Sequence, residues 1–161
     1  MPEVIDLRKN FYEETDKYHM IPSSVTNLRW LETIPSHGRV VMVIAEGLMM
    51  YLTEEEVRSL ILKLTESYPG CELVFDAYST LTARSAKGHP SLRKTGAVIR
   101  WGIDDAKAIE KWGDGIRLKE EWYFTQSESI KTLALGYQWI FRLTGLFLVA
   151  RKAHRILYYA L

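Results

Sequence analysis

The residues best placed to do chemistry in this 161-residue chain are Glu46 and Gly47, which interrupt an otherwise apolar stretch, VVMVIAEGLMMYL, from Val40 to Leu52. The acid falls where the apolar run Val40 to Ala45 gives out, and open α/β sheets bind ligands beyond the carboxyl ends of their strands. A carboxylate there accepts hydrogen bonds from a ligand ammonium or hydroxyl more strongly than a neutral acceptor would. Gly47 lets backbone approach closely. The plainer alternative is a solvated acid at a strand end. The four histidines, His19, His37, His89 and His154, are scattered without ligand spacing and have no cysteine partners, so no structural metal site is expected. His89 sits in SAKGHPSLRK beside Lys87, Arg93 and Lys94, which reads either as a mouth for an anionic acceptor or as a solvated basic loop. Trp101, Trp112, Trp122, Tyr123 and Phe124 either wall an aromatic substrate or belong to the core.

The elements that must position these residues follow from periodicity and punctuation. Val4 to Tyr12 reads as a helix, and Tyr18 to Ile21 as a short extended piece ending at Pro22. Asn27 is placed to cap a short helix through Leu31, before Pro35, Ser36 and Gly38 break the chain. Arg39 to Ala45 is a continuous β-rich run, as expected of a central strand covered on both faces. Thr53 opens the clearest helix: Thr53 and Glu56 form a capping box, Val57, Leu60, Ile61 and Leu64 recur at helical spacing, and Pro69-Gly70 stops it. Glu72 to Ala77 is a second buried strand, so strand, helix and strand imply a parallel crossover and α/β architecture. Residues 78–99 show no sustained period and read as a surface insertion or lid. Asp104 to Trp112 looks helical, ending at Gly113 and Gly115, and Arg117 to Phe124 looks like a strand. His154 to Leu161 alternates and reads as a last strand, with helix continuation as the competitor.

Composition bounds the rest. With 47% hydrophobic and 25% charged side chains the chain suits a single domain over residues 1–161. Lys and Arg number 21 against 20 for Asp and Glu, so no bulk field exists to hold nucleic acid. The lone cysteine, Cys71, cannot form an internal disulfide, which fits a reducing cytoplasm, and its plainest role is packing. The N-terminus lacks the apolar region of an export signal. Thr132 to Ala150 is long enough for a membrane span, but Arg142 at its middle favours a buried or partner-facing helix instead.

The segment AEGLMMYLTEEEVRSLILKLTESYPGCELVFDAYS resembles the central motif of the leucine carboxyl methyltransferase and tetracenomycin-type O-methyltransferase family. That pattern runs acid, Gly, three apolar residues, Tyr, Leu, then a helix and an F-D strand. PEVIDLRK, YHMIPSSVTNLRW and HPSLRKTGAVIRWGIDD resemble the polyketide branch of the same family, so the resemblance covers nearly the whole chain. It implies a Rossmann-like fold, S-adenosylmethionine as cofactor, and transfer of a methyl group to a small molecule.

Carried over by position, the resemblance gives Glu46, with Gly47, the methionyl end of the cofactor. Ser24 and Val25 stand where the family has an Asp-Leu pair at the adenine, and Asn27 where it often has a second Asp; Ser24 offers a hydroxyl in place of a charge. Tyr51 and Asp76 become candidates for the acceptor side, the alternatives being a packed tyrosine and a turn-forming aspartate. A carboxylate acceptor needs no base at neutral pH, whereas a phenol, with a pKa near about 10, calls for one; the sequence leaves both open and names no catalytic residue. The family's glycine-rich turn and ribose-binding acid have no counterpart here, so the expected fold is an incomplete one, lacking the first β-α-β unit: a mostly parallel sheet with a C-terminal antiparallel strand. Its interrupted sheet would expose an apolar edge, so Tyr18 to Ser24 is expected either to move beside Val40 to Ala45 or to be poorly ordered. The chain is expected to form a homo-oligomer or to need a missing N-terminal half. The rival function is a non-catalytic remnant or interaction module that binds a partner chain.

Overall fold

The computed structural model describes residues 2–35, 38–86, 96–126, 130, 132, 134–136 and 148–161. The chain divides into two compact units, Met1–Arg39 and Val40–Leu161.

In the first unit, helix α1 spans Pro2–Arg8 and buries no residue. The turn that follows is held by Lys9 and Tyr12 amides donating to the Ile5 and Arg8 carbonyls. The expected extended piece is not a strand of any sheet: Tyr18 pairs only with Thr15 in an isolated antiparallel bridge. Asn27 precedes a 3-10 helix, Leu28–Thr33, but its side chain makes no capping hydrogen bond. The Asn27 carbonyl accepts the Trp30 amide instead, and the Trp30 indole donates to the Val25 carbonyl.

The second unit holds a four-stranded sheet: β1 Met42–Ala45, β2 Glu72–Tyr78, β3 Arg117–Tyr123 and β4 His154–Ala160, in the order β1-β2-β4-β3. β1 and β2 are parallel, and β4 runs antiparallel to both β2 and β3, so three strands share one direction and one is reversed. This is the expected incomplete Rossmann-like sheet, and it settles the tail as a strand. Helix α2, Glu54–Ser67, is the crossover between β1 and β2. Its capping box forms as read: the Glu56 amide donates to Thr53 Oγ1 at 3.2 Å, and the Thr53 amide to Glu56 Oε2 at 2.8 Å.

Register sorts the side chains into two faces. Ala45, Leu73, Phe75, Ala77, Leu157 and Tyr159 point to one, all buried, and α2 contributes Val57, Leu60, Ile61 and Leu64 to the core. Segment 101–112 helps close it. Phe75 stacks on both Trp101 and Tyr159, and the Tyr159 hydroxyl donates to the Ala106 carbonyl at 2.7 Å. The fully buried Arg155 pairs with Glu121 at 2.8 Å and donates to the Ile103 and Asp104 carbonyls, which meets the requirement that a buried cation be paired and bonded.

The opposite face is open. Met42 and Ile44 on β1, Val74 on β2, Ile156 and Tyr158 on β4, and Trp122 on β3 share it, with Ile44 71% and Trp122 43% exposed. The expected central, doubly covered first strand is therefore corrected: β1 is four residues long, pairs only with β2 among the described residues, and is an edge. A continuous apolar run meets the requirement of a doubly covered strand, but it does not say whether the chain also supplies the cover.

Residues 78–99 are not wholly loop. Helix α3, Thr80–Ser85, is capped by the Ser79 hydroxyl, and Ala83 and Ile99 pack with Met50. Residues 87–95, with His89, lie outside the described residues, as do Arg142 and most of Thr132 to Ala150. Among the described residues no helix is long and apolar enough to cross a membrane. The expected helix after Asp104 is a 3-10 helix, Ala106–Trp112, capped by the Asp105 side chain.

Candidate functional site

The carboxyl ends of β1 and β2 and the start of the reversed β4 meet at one end of the sheet. Tyr78 pairs with His154 and Asp76 with Ile156, so a strand that begins late in the chain places its first side chain beside the end of β2. Here the chain builds a cavity of about 330 Å³, lined by Ile44, Glu46, Asp76, Phe124, His154 and Ile156 among others. That is near the lower end of small-molecule sites, which run from about 300 to 1,000 Å³.

Asp76 is the hub. It is 9% exposed, and its two carboxylate oxygens are both engaged. Oδ1 accepts the Gly47 amide at 2.7 Å, and Oδ2 lies 3.0 Å from Nε2 of His154. The first bond fixes the turn after β1. Gly47 has φ of +61°, a conformation that side chains disfavour, although nothing lies within 4 Å of where a Cβ would stand; it is the backbone angle that calls for glycine. Nε2 is thus the ring nitrogen that faces the carboxylate, which accepts a hydrogen bond from it when that nitrogen carries a proton. The ring is held from two further sides, by Phe124 at 4.5 Å and by Tyr78 at 4.6 Å between centroids. Burial, with the Asp76 charge adding to it, raises the Tyr78 hydroxyl above its ordinary value, so it stays neutral at physiological pH.

Glu46 itself is exposed and lines the same cavity, free to meet a ligand cation. Asp76, expected as an acceptor contact or a turn former, sits inside β2 rather than in a turn and lines the cavity, with each carboxylate oxygen also bonded to the protein. Tyr51 does not line this cavity; half-buried, it packs against the cluster of Met50, Ala83 and Ile99. Ser24 and Val25 belong to the first unit, where Ser24 Oγ lies 2.8 Å from the Thr26 hydroxyl. Of the expected residues, the fold thus brings together Glu46, Gly47 and Asp76.

His154 was not legible as a site residue. It lies 78 residues from Asp76, outside any local motif. The signal that finds it is topological: alternation in HRILYYAL puts His154, Ile156 and Tyr158 on one face, and a reversed last strand begins where its parallel neighbours end. A groove of about 630 Å³ continues along the open face past Val74, Trp122, Tyr123 and Ile156, sharing Phe124 with the cavity. Trp122 and Phe124 therefore stand where an aromatic wall would be, while Trp101 belongs to the core. Among the described residues no cluster of three or more His, Cys, Asp or Glu could hold a metal ion.

No family model matches the chain. It is 35% identical over 159 residues to the tetracenomycin polyketide synthesis O-methyltransferase TcmP of Streptomyces glaucescens, which covers 99% of this chain and 58% of that protein. It is 27% identical over 133 residues to the S-adenosyl-L-methionine-dependent methyltransferase dpfgK of Gibberella zeae, covering 75% of this chain and 44% of the relative. The chain thus spans about half the length of these curated relatives. The fold is similar to that of a DUF574 family protein from Streptomyces avermitilis, with a TM-score of 0.60 at 12% identity over 99% of this chain and 62% of that one. Alignment along almost the whole chain at 35% identity, joined to a sheet whose strand tips carry the acid-glycine turn, makes the chain similar to part of a tetracenomycin-type O-methyltransferase.

Proposed function

We propose that this chain forms part of a methyltransferase that uses S-adenosylmethionine to methylate an oxygen of a small molecule, with the site at the tips of β1 and β2. The carrying observation is Gly47: its left-handed turn, pinned by Asp76, holds the exposed Glu46 carboxylate at the mouth of a cavity of about 330 Å³. These residues fit the methionyl end of the cofactor, since an exposed carboxylate offers its ammonium a charged acceptor and the glycine keeps the approach clear. The bound cofactor would supply an activated methyl group. The protein's part is to hold acceptor and donor close and aligned. Ser24 and Val25 remain the adenine-side assignment by family position, and Tyr51 the outlying acceptor-side one. By its sequence the segment 78–99 is read as a surface insertion or lid, and the whole chain as one cytoplasmic methyltransferase domain. Calorimetric titration of the folded chain tests the reading. Saturable heat at micromolar S-adenosylmethionine is expected, weakened about tenfold in Glu46→Ala, a loss of about 1.4 kcal/mol; silence from a folded sample overturns it.

A second feature favours joint action with another polypeptide, either a further copy of the chain or a separate half. Met42 and Ile44 of β1 and Val40 just before it are 55%, 71% and 73% exposed, at a strand edge that is unpaired among the described residues, and sheet edges of this kind recruit strands. Light scattering is expected to show association, and a monodisperse monomer would count against it.

A further inference from the structure

We propose that two copies of this chain join edge to edge through β1, antiparallel about a two-fold axis at Met42, so that their four-stranded sheets run on as one. The inference rests on the association proposed above, to which it gives a partner and a register, and is independent of methyl transfer. The two outer strands of the sheet meet solvent differently. β3 carries exposed Arg117, Lys119 and Glu120 and breaks register between Leu118 and Glu120, and charge and bulging are devices that keep other strands off an edge. β1 has neither: no residue from Val40 to Ala45 is charged, and its register with β2 runs unbroken from Met42 to Ala45. One guarded edge and one bare edge permit a closed pair of chains and not a fibre.

The backbone selects the register. The Val41 carbonyl accepts the Glu72 amide at 2.9 Å, so it points to β2, and backbone groups alternate sides along a strand. The N–H and C=O groups of Val40, Met42 and Ile44 therefore point out from the edge. A second β1 laid antiparallel, with Met42 opposite its own copy, sets Val40 opposite Ile44, and these residues then meet as pairs that exchange two backbone hydrogen bonds. Val40-Val41-Met42-Val43-Ile44 is close to a palindrome about Met42. β-branched side chains thus face β-branched side chains and methionine faces methionine, which suits a pleated ladder.

Charge decides the direction. Arg39 precedes the apolar run and Glu46 follows it, so antiparallel pairing brings opposite charges of the two copies near each other at both ends. A parallel pair would set Arg39 beside Arg39 and Glu46 beside Glu46, and like charges across strands are destabilising. The two Glu46 residues then stand at opposite ends of the joint, roughly 26 Å apart at about 3.3 Å per residue. Each copy keeps its own cavity.

Mass, cross-linking and amide exchange of the full chain decide it. Light scattering is expected to give a particle of twice the chain mass. With Cys71→Ala removing the native thiol, Met42→Cys should yield a disulfide-linked dimer in glutathione buffer, because opposite Cα atoms of such a pair stand about 5.5 Å apart, within disulfide reach. Val40→Cys and Ile44→Cys chains should each stay unlinked alone and become linked when mixed. All three side chains are exposed, so the substitutions leave the folded chain standing. Amide exchange needs no substitution: the Met42 and Ile44 N–H groups should slow about 100-fold or more as the chain is concentrated through the dissociation constant of the dimer. A dimer in which Ile44→Cys links to itself while Met42→Cys does not, or in which the Met42 and Ile44 amides exchange freely, overturns this inference and leaves the association reading standing. Larger assemblies overturn the closed pair. A monomer at every concentration overturns both, and leaves the edge to a different polypeptide.

Discussion

The two faces of the same four strands differ more than any two segments of the chain. Leu157 and Ile156 are neighbours in sequence and in β4, yet Leu157 is fully buried between the sheet and its cover, whereas Ile156 lines the open groove. The closed face carries the fold: aliphatic and aromatic side chains, and one buried cation with its partner met. The open face carries the cavity, with Glu46, Asp76 and His154 at its upper end and apolar side chains below that the described residues leave uncovered. Strand alternation alone sorts core from cavity, since successive residues of a strand face opposite ways.

The largest expected effect tests that sorting directly. Leu157→Ala removes a fully buried side chain and should cost about 2 to 5 kcal/mol in urea unfolding. Ile156→Ala removes a similar volume one residue away and should cost less than about 1.5 kcal/mol, because the site is partly open to water already. Equal losses would mean that both faces are buried in solution and that the contrast is false.

A pH-limited effect sharpens the same comparison. Cys71 lies on the buried side at the start of β2, fully shielded, and burial pushes its thiol up to about 11, with the Glu72 charge adding to the rise. A raised folded pKa means the folded state prefers the neutral thiol. Its contribution is fully present below the thiol's ordinary value of 9.0 and is lost as pH rises through about 11. Unfolding free energy measured across that alkaline window should therefore fall, and Cys71→Ala should flatten the decline. Thiol labelling at pH 8 should be slow until the chain unfolds. Rapid labelling of the native chain would show that this side is not sealed.

How much of this was legible in the sequence follows the same division. α2, its capping box and its four inward residues were readable because local spacing and turn chemistry alone specify them. β2 and β4 were readable from apolar runs and alternation. The depth of β1 was not. VVMVIA has the composition of a covered strand, but composition reports the environment a segment is suited to and not which polypeptide supplies it. Asn27 failed as a cap because its carbonyl, not its side chain, took the first bond. In the site, Glu46 and Gly47 were legible as a strand-end pair. His154 was not, since the contact that gives it meaning spans most of the second unit and exists only through the reversed direction of β4. The same register explains Asp76, which lines the cavity and also supports two others, the Gly47 turn and the His154 ring.

The smallest expected effect on folding falls at the edge of the open face. Ile44 is 71% exposed and sits in the outermost strand among the described residues, so Ile44→Lys removes little buried surface and should change unfolding free energy by no more than about 0.5 kcal/mol. The same substitution sets a charge on an apolar face beside backbone donors and acceptors that are unpaired among the described residues, the device by which sheets keep other strands from adding to their edges. Association measured by light scattering should therefore collapse while thermal and chemical stability hold. A parallel change on the closed face cannot show this separation, because a lysine at Leu157 would place an unpaired cation in the core and unfold the chain. If Ile44→Lys instead destabilised the chain as Leu157→Ala does, β1 would have to be covered within the monomer. If it left association untouched, the contact between copies would lie elsewhere, and the open edge would be a bare surface rather than a joining one.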